Sequence, residues 1–146
     1  MTADYSEYRV YASRAAFRGS DVFEFYPGRF EGRTSWWNEG SVYVREEGLK
    51  PFERTITDIV PNFDPYGETR LTGPQIDRLA RRFDRLAVLF LTAGTRTALM
   101  AISPLIDAEE HNVLRRRTQL IRMAGDLAAI CAIARNKKTP LWILGL

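Results

Sequence analysis

One cysteine, Cys131, and one histidine, His111, are all that 146 residues offer toward thiol or imidazole chemistry. A lone cysteine cannot close an internal disulfide, so a reducing compartment, the cytoplasm, is expected. One His and one Cys cannot assemble a Cys/His zinc site, which needs three or four ligands at short spacings. His111 lies in the polar stretch Asp107-Ala108-Glu109-Glu110-His111-Asn112, the setting of a solvated helix-surface histidine rather than a general base. Cys131 lies in the apolar run Leu127–Ile133, where a free cysteine acts as a small hydrophobe. Neither GxGxxG nor GxxxxGK[ST] occurs, so a Gly-rich phosphate cradle is excluded. The most apolar zone, Leu86 to Ile106, is interrupted by Gly94 and Arg96. Its apolar runs fall short of the ~18–20 residues that a membrane helix needs. The first residues, Met1–Glu7, are acidic and polar, unlike a secretory signal. No enzyme activity, cofactor, metal or membrane span is therefore expected.

What is present fits one globular domain over residues 1–146: 45% of residues are hydrophobic and 27% charged. Net charge is +3, but it is divided unevenly. Residues 1–73 carry twelve acidic and nine basic side chains, net −3, and residues 74–146 six and twelve, net +6. Eighteen of the basic residues are Arg and three are Lys.

Aromatic and β-branched runs at Tyr8–Ala12, Val22–Tyr26 and Ser41–Arg45 read as strands. The second stops at Pro27-Gly28, and Asn38-Glu39-Gly40 reads as the turn of a hairpin from Thr34–Trp37. Phe52 to Val60 is rich in Thr and Ile, which favours a strand. Phe52, Ile56 and Ile59 also fall at helical spacing, and the strand is preferred. Pro61–Thr69 is a loop with aromatic anchors, since its two prolines fit neither element.

Thr72 and Gln75 have capping-box spacing, with Pro74 in the first turn, so a helix starts there. Its apolar face is Ile76, Leu79, Phe83, Leu86 and Phe90. Beyond Leu86 it is apolar all round, which predicts a deeply buried second half ending near Gly94. Ala98–Ile102 is a short strand or helical turn. A second long helix runs from Ser103-Pro104 to about Arg135, with the stripe Ile106, Val113, Leu120, Ala124, Leu127, Cys131 and Ala134. Leu141–Leu146 must dock as a last strand or a packed tail. The expected fold is α+β: residues 1–71 mainly β, forming an antiparallel sheet, and 72–146 mainly α, two long helices covering one face.

Two surfaces compete for a functional reading. Arg78, Arg81, Arg82 and Arg85 line the first helix, and Arg115, Arg116, Arg117 and Arg122 the second. Such faces serve nucleic acid when they form one basic footprint, and otherwise are solvated helix surface. Glu46, Glu47, Glu53, Asp58, Asp64 and Glu68 crowd the other half, beside Trp36, Trp37 and Tyr66. Carboxylates around an exposed aromatic make a protein-binding surface.

The run Trp37-Asn38-Glu39-Gly40-Ser41-Val42-Tyr43-Val44-Arg45-Glu46-Glu47, then Phe52-Glu53, then Pro61-Asn62-Phe63-Asp64-Pro65-Tyr66-Gly67-Glu68-Thr69, resembles small immunity proteins of bacterial polymorphic toxin systems (contact-dependent or type VI secretion). The resemblance covers about a third of the chain and leaves the Arg-bearing helices outside. It implies a small soluble protein that binds one cognate toxin and blocks it, with no catalytic motif to transfer. The expected contact surface is Trp37, Glu39, Glu46, Glu47, Asp58, Asp64, Tyr66 and Glu68, facing a basic toxin. The alternative is a nucleic-acid-associated regulator acting through the Arg faces. The Ala-rich helix and apolar C-terminus could also serve a homodimer.

Overall fold

The computed structural model describes residues 8–12, 21–30, 38–102 and 113–145; side chains at 96, 100 and 113–115 lie outside that description. In chain order the elements are β1 (Val10–Tyr11), β2 (Val22–Pro27), β3 (Val42–Arg45), α1 (Glu46–Ile59), β4 (Glu68–Leu71), α2 (Gly73–Thr92), α3 (Arg96–Ile102), α4 (Val113–Lys137) and β5 (Leu141–Leu144). The sheet is antiparallel throughout, in the order β1-β3-β2-β5-β4. The fold is α+β, with helices packed on the sheet.

Side-chain alternation splits the sheet into two faces. Phe23, Phe25, Val44, Leu71, Leu141 and Ile143 face the helices and join the main core. That core takes Ile76, Leu79, Phe83 and Phe90 from α2, and Leu120, Ala124, Leu127, Cys131 and Ala134 from α4, as their spacing predicts. On the other face Tyr11, Val22 and Tyr43 form a small second cluster. Trp142 lies on that face too, its ring 5.2 Å from that of Phe30.

Several expectations need correction. Phe52–Val60 is not a strand: Phe52–Ile59 belongs to α1 and Val60 is its C-cap, and the buried residues of α1 include Leu49, Phe52, Thr55, Ile56 and Ile59. A strand there would put Arg54, Ile56 and Asp58 on one face and Glu53, Thr55 and Thr57 on the other, mixing charge into both. The helical period collects the apolar residues on one side, so packing overrides β propensity. The Phe52 ring then meets Phe83 and Phe90 edge-on, at 6.0 and 6.1 Å. Glu68–Leu71 is a strand rather than the end of a loop, paired with β5.

The second half of α2 is not deeply buried. Phe90 is fully covered, but Val88 and Leu91 are 59% and 63% exposed. Phe90 packs on Phe52 of α1, and at ~100° per residue Val88 and Leu91 share the side of the helix that turns away from Phe90.

The helix boundaries follow local chemistry. The Thr72 hydroxyl accepts from the Gln75 backbone N–H, and the Gln75 side chain accepts from the Thr72 N–H at 2.9 Å, the reciprocal cap expected from the sequence. At the end of α4, Lys138 has φ 57°, and the Lys138 and Thr139 N–H groups donate back to the Arg135 and Ala134 carbonyls. This is a Schellman closure with a lysine where glycine is usual. The expected starts of the α4 helix at Ser103-Pro104, the Thr34–Trp37 strand and His111 lie outside the described residues.

The C-terminal segment is a central strand. β5 sits between β2 and β4, so the last residues of the chain close the sheet. It is therefore committed inside the fold, as is the face of α4 formed by Ala124, Ala128 and Ala134. Ala129 and Ala132, elsewhere on α4, stay exposed.

Candidate functional site

Strand register gathers several of the sequence-predicted residues at one end of the sheet. Val22 pairs with Arg45, and the Glu46 N–H donates to the Asp21 carbonyl, so β2 enters where β3 leaves. Leu144 lies opposite both Glu24 and Glu68, and the Gly145 N–H donates to the Gly67 carbonyl at 2.7 Å. Asp21, Glu46, Glu47 and the Asp64–Glu68 loop therefore emerge together. They span three strand spacings, roughly 14 Å at ~4.8 Å per step. Asp21 was not singled out in the sequence, because nothing in its local pattern shows that its strand starts beside Glu46.

The loop is held open by its own hydrogen bonds. The Asp64 carboxylate accepts from the Tyr66 N–H at 2.9 Å, the Asp64 N–H donates to the Thr69 hydroxyl at 3.0 Å, and the Gly67 N–H donates to the Asp64 carbonyl. This turn holds Tyr66 out in solvent, 73% exposed. Asp64 is thus a builder of the loop as well as a charge on it. Gly145 supports the loop from below: a Cβ there would collide with the Pro65 carbonyl oxygen. Glu46 and Glu47 also occupy the first turn of α1, where negative charge is favoured by the helix dipole whatever else it does.

The remaining predicted residues lie elsewhere. Glu39 sits in the turn before β3, at the opposite end of the sheet. Trp37 lies outside the described residues. Asp58, in the last turn of α1, is 3.5 Å from Arg82 of α2, both about half exposed.

That pair marks one end of a groove between α1 and α2, closed by α3, with a volume of about 710 Å³. Lys50 and Arg54 stand on its α1 lip, and Arg82 and Arg85 on its α2 lip. Pro51, Leu86, Leu89, Ala101 and Ile102 form its apolar lining. Sequence reasoning missed this juxtaposition because the strand reading of Phe52–Val60 hid the helical spacing of Lys50, Arg54 and Asp58.

The arginines of α4 have separate surroundings. Arg117 donates to the Ala93 carbonyl at 2.8 Å, closing the end of α2. Arg116 lies over the Tyr8 ring at 5.3 Å. Arg122 lines a smaller cleft of about 450 Å³ with Tyr8, Gln119 and Asp126. Burial raises the Asp126 carboxyl there, against the opposing pull of Arg122.

Among the described residues no cluster of three or more His, Cys, Asp or Glu could hold a metal. Nor is any described helix long and apolar enough to cross a membrane. No protein-family model, curated protein or solved structure matches the chain.

Proposed function

We propose that this chain is a non-enzymatic inhibitor of the immunity-protein kind, which binds a cognate toxin in the cytoplasm and occludes it through the acidic end of the sheet. The observation that carries this reading is Tyr66. A large aromatic 73% exposed on a loop fixed by three hydrogen bonds is a pre-organised anchor. Asp21, Glu46, Glu47 and Glu68 at the same end supply a negative rim, which steers a basic partner and discourages a phosphate backbone.

The nucleic-acid reading is less well supported. A binding face would need the α2 and α4 arginines to act together, yet Arg117 caps α2 and Arg116 stacks on Tyr8.

Co-expression with the product of the neighbouring gene tests the proposal. A stable complex on pull-down, with protection of the host from that product's toxicity, is expected. Absence of a complex with any co-encoded protein would reject it.

A further inference from the structure

The α1–α2 groove has the opposite charge from the acidic end and is built from different elements. Its chemistry is independent of the inhibitor reading. We propose that it docks an amphipathic helix of a partner protein, one whose apolar stripe is flanked on both sides by carboxylates.

Three observations argue for this occupant. The first is charge. Lys50, Arg54, Arg82 and Arg85 face the groove, and Asp58, the one carboxylate among the described lining residues, already lies 3.5 Å from Arg82. The lining therefore carries an excess of positive charge over an apolar floor.

The second is spacing. Lys50 and Arg54 are one helical turn apart on one lip, and Arg82 and Arg85 are one turn apart on the other. Lys50 to Asp58 covers ~12 Å at 1.5 Å per residue. Cations set out along two lips do not converge on a single headgroup. They suit carboxylates repeated along a ligand.

The third is the floor. Leu89 is 36% exposed, and with Pro51, Leu86, Ala101 and Ile102 it forms an apolar floor between the two charged lips. A helix lays an apolar stripe about 100° wide on such a floor while presenting acids to both lips at once. An extended strand cannot do this, because its successive side chains point to opposite faces.

The test uses the full chain and a fluorescein-labelled synthetic peptide of roughly 14 residues, with leucines at i, i+3, i+4 and i+7 and glutamates on either side. Anisotropy should show saturable binding at low salt, weakening at ~0.3 M salt as the charges are screened. Peptide helicity by circular dichroism should rise on binding. Arg54→Glu with Arg85→Glu should weaken binding by about tenfold or more. Leu89→Glu should weaken it through the floor. Unchanged melting curves would show that both variants fold, and Arg85→Glu alone provides a milder substitution if the double variant does not.

Equal binding of a lysine-flanked peptide, or undiminished binding by the folded double variant, would overturn the proposal. So would equally tight binding of poly-glutamate or a DNA oligonucleotide, which would mark a merely basic surface. Binding seen only after Asp107, Glu109 and Glu110 are neutralised would assign the groove to the chain's own carboxylates, and would overturn it too.

Discussion

Among the described charged side chains, Glu24 is the one that the fold buries completely. It is fully buried on the second face of the sheet, and one carboxylate oxygen accepts from the Asn38 N–H, the Asn38 side-chain amide and the Ser41 hydroxyl. It thereby ties the Asn38-Glu39-Gly40 turn to β2, with Gly40 supplying the φ of 84° that the turn requires. Glu24→Ala leaves buried donors without an acceptor and should cost about 2–4 kcal/mol in urea unfolding. Glu24→Gln keeps an acceptor and should cost less. Cys131 gives a second test at this scale. Burial, reinforced by the nearby Asp84 charge, pushes its thiol up to about 12. The thiolate is the reactive form, so native protein at pH 8 should resist maleimide and label fully once unfolded in urea. Because only the unfolded chain ionises this thiol between its ordinary range near 9 and about 12, stability should fall as pH rises through that window.

Among the elements, the closures of α4 and β5 decide most. Lys138 holds a left-handed conformation at the end of α4, where a side chain is strained and glycine is not. Lys138→Gly should therefore stabilise the protein by about 0.5–1 kcal/mol, read as a higher urea midpoint with unchanged slope. Gly145 has the reverse demand. A methyl group there meets the Pro65 carbonyl, so Gly145→Ala should destabilise by about 1–3 kcal/mol and displace the loop bearing Tyr66. Amide exchange at Gly67 and Gly145 would report the displacement, since the Gly145 N–H is held by the Gly67 carbonyl. α1 shows how propensity loses to packing. Its Thr and Ile residues favour a strand, but only a helix brings Phe52 against Phe83 and Phe90 while keeping Arg54 and Asp58 outside.

Across the whole molecule, charge is arranged by the fold rather than by the two halves of the sequence. The acidic end draws Asp21, Glu46, Glu47 and Glu68 from the ends of three strands and a helix start, whereas Lys50 and Arg54 from the same acidic half join the α2 arginines in the groove. Glu46→Lys with Glu68→Lys is the sharper test of steering, because Asp64 also folds the loop and reversing it would confound the result. If the proposed inhibitor role holds, the pair should slow association with the co-encoded partner about tenfold or more at low salt, with little change near ~0.5 M salt. Stopped-flow association rates measure this, and a rate equal to that of the unaltered chain would place the interface elsewhere.

The sequence alone carries the periodic helix faces of α2 and α4, the reciprocal cap at Thr72 and Gln75, the start of β2 and the burial of Cys131. These depend on spacing along a few turns, which local patterns encode. It also identified Tyr66 and the carboxylates as candidates, from residue type alone. The folded chain was needed to show that Phe52–Ile59 is helical, that Glu68–Leu71 pairs with the C-terminal strand, and that Val88 and Leu91 stay exposed. It alone set Asp21 beside Glu46, moved Glu39 to the far end and put Asp58 against Arg82. The physical reason is common to all of these. Each depends on which surface a segment meets after the chain has turned back, and strand register and helix packing are contacts between residues far apart in sequence.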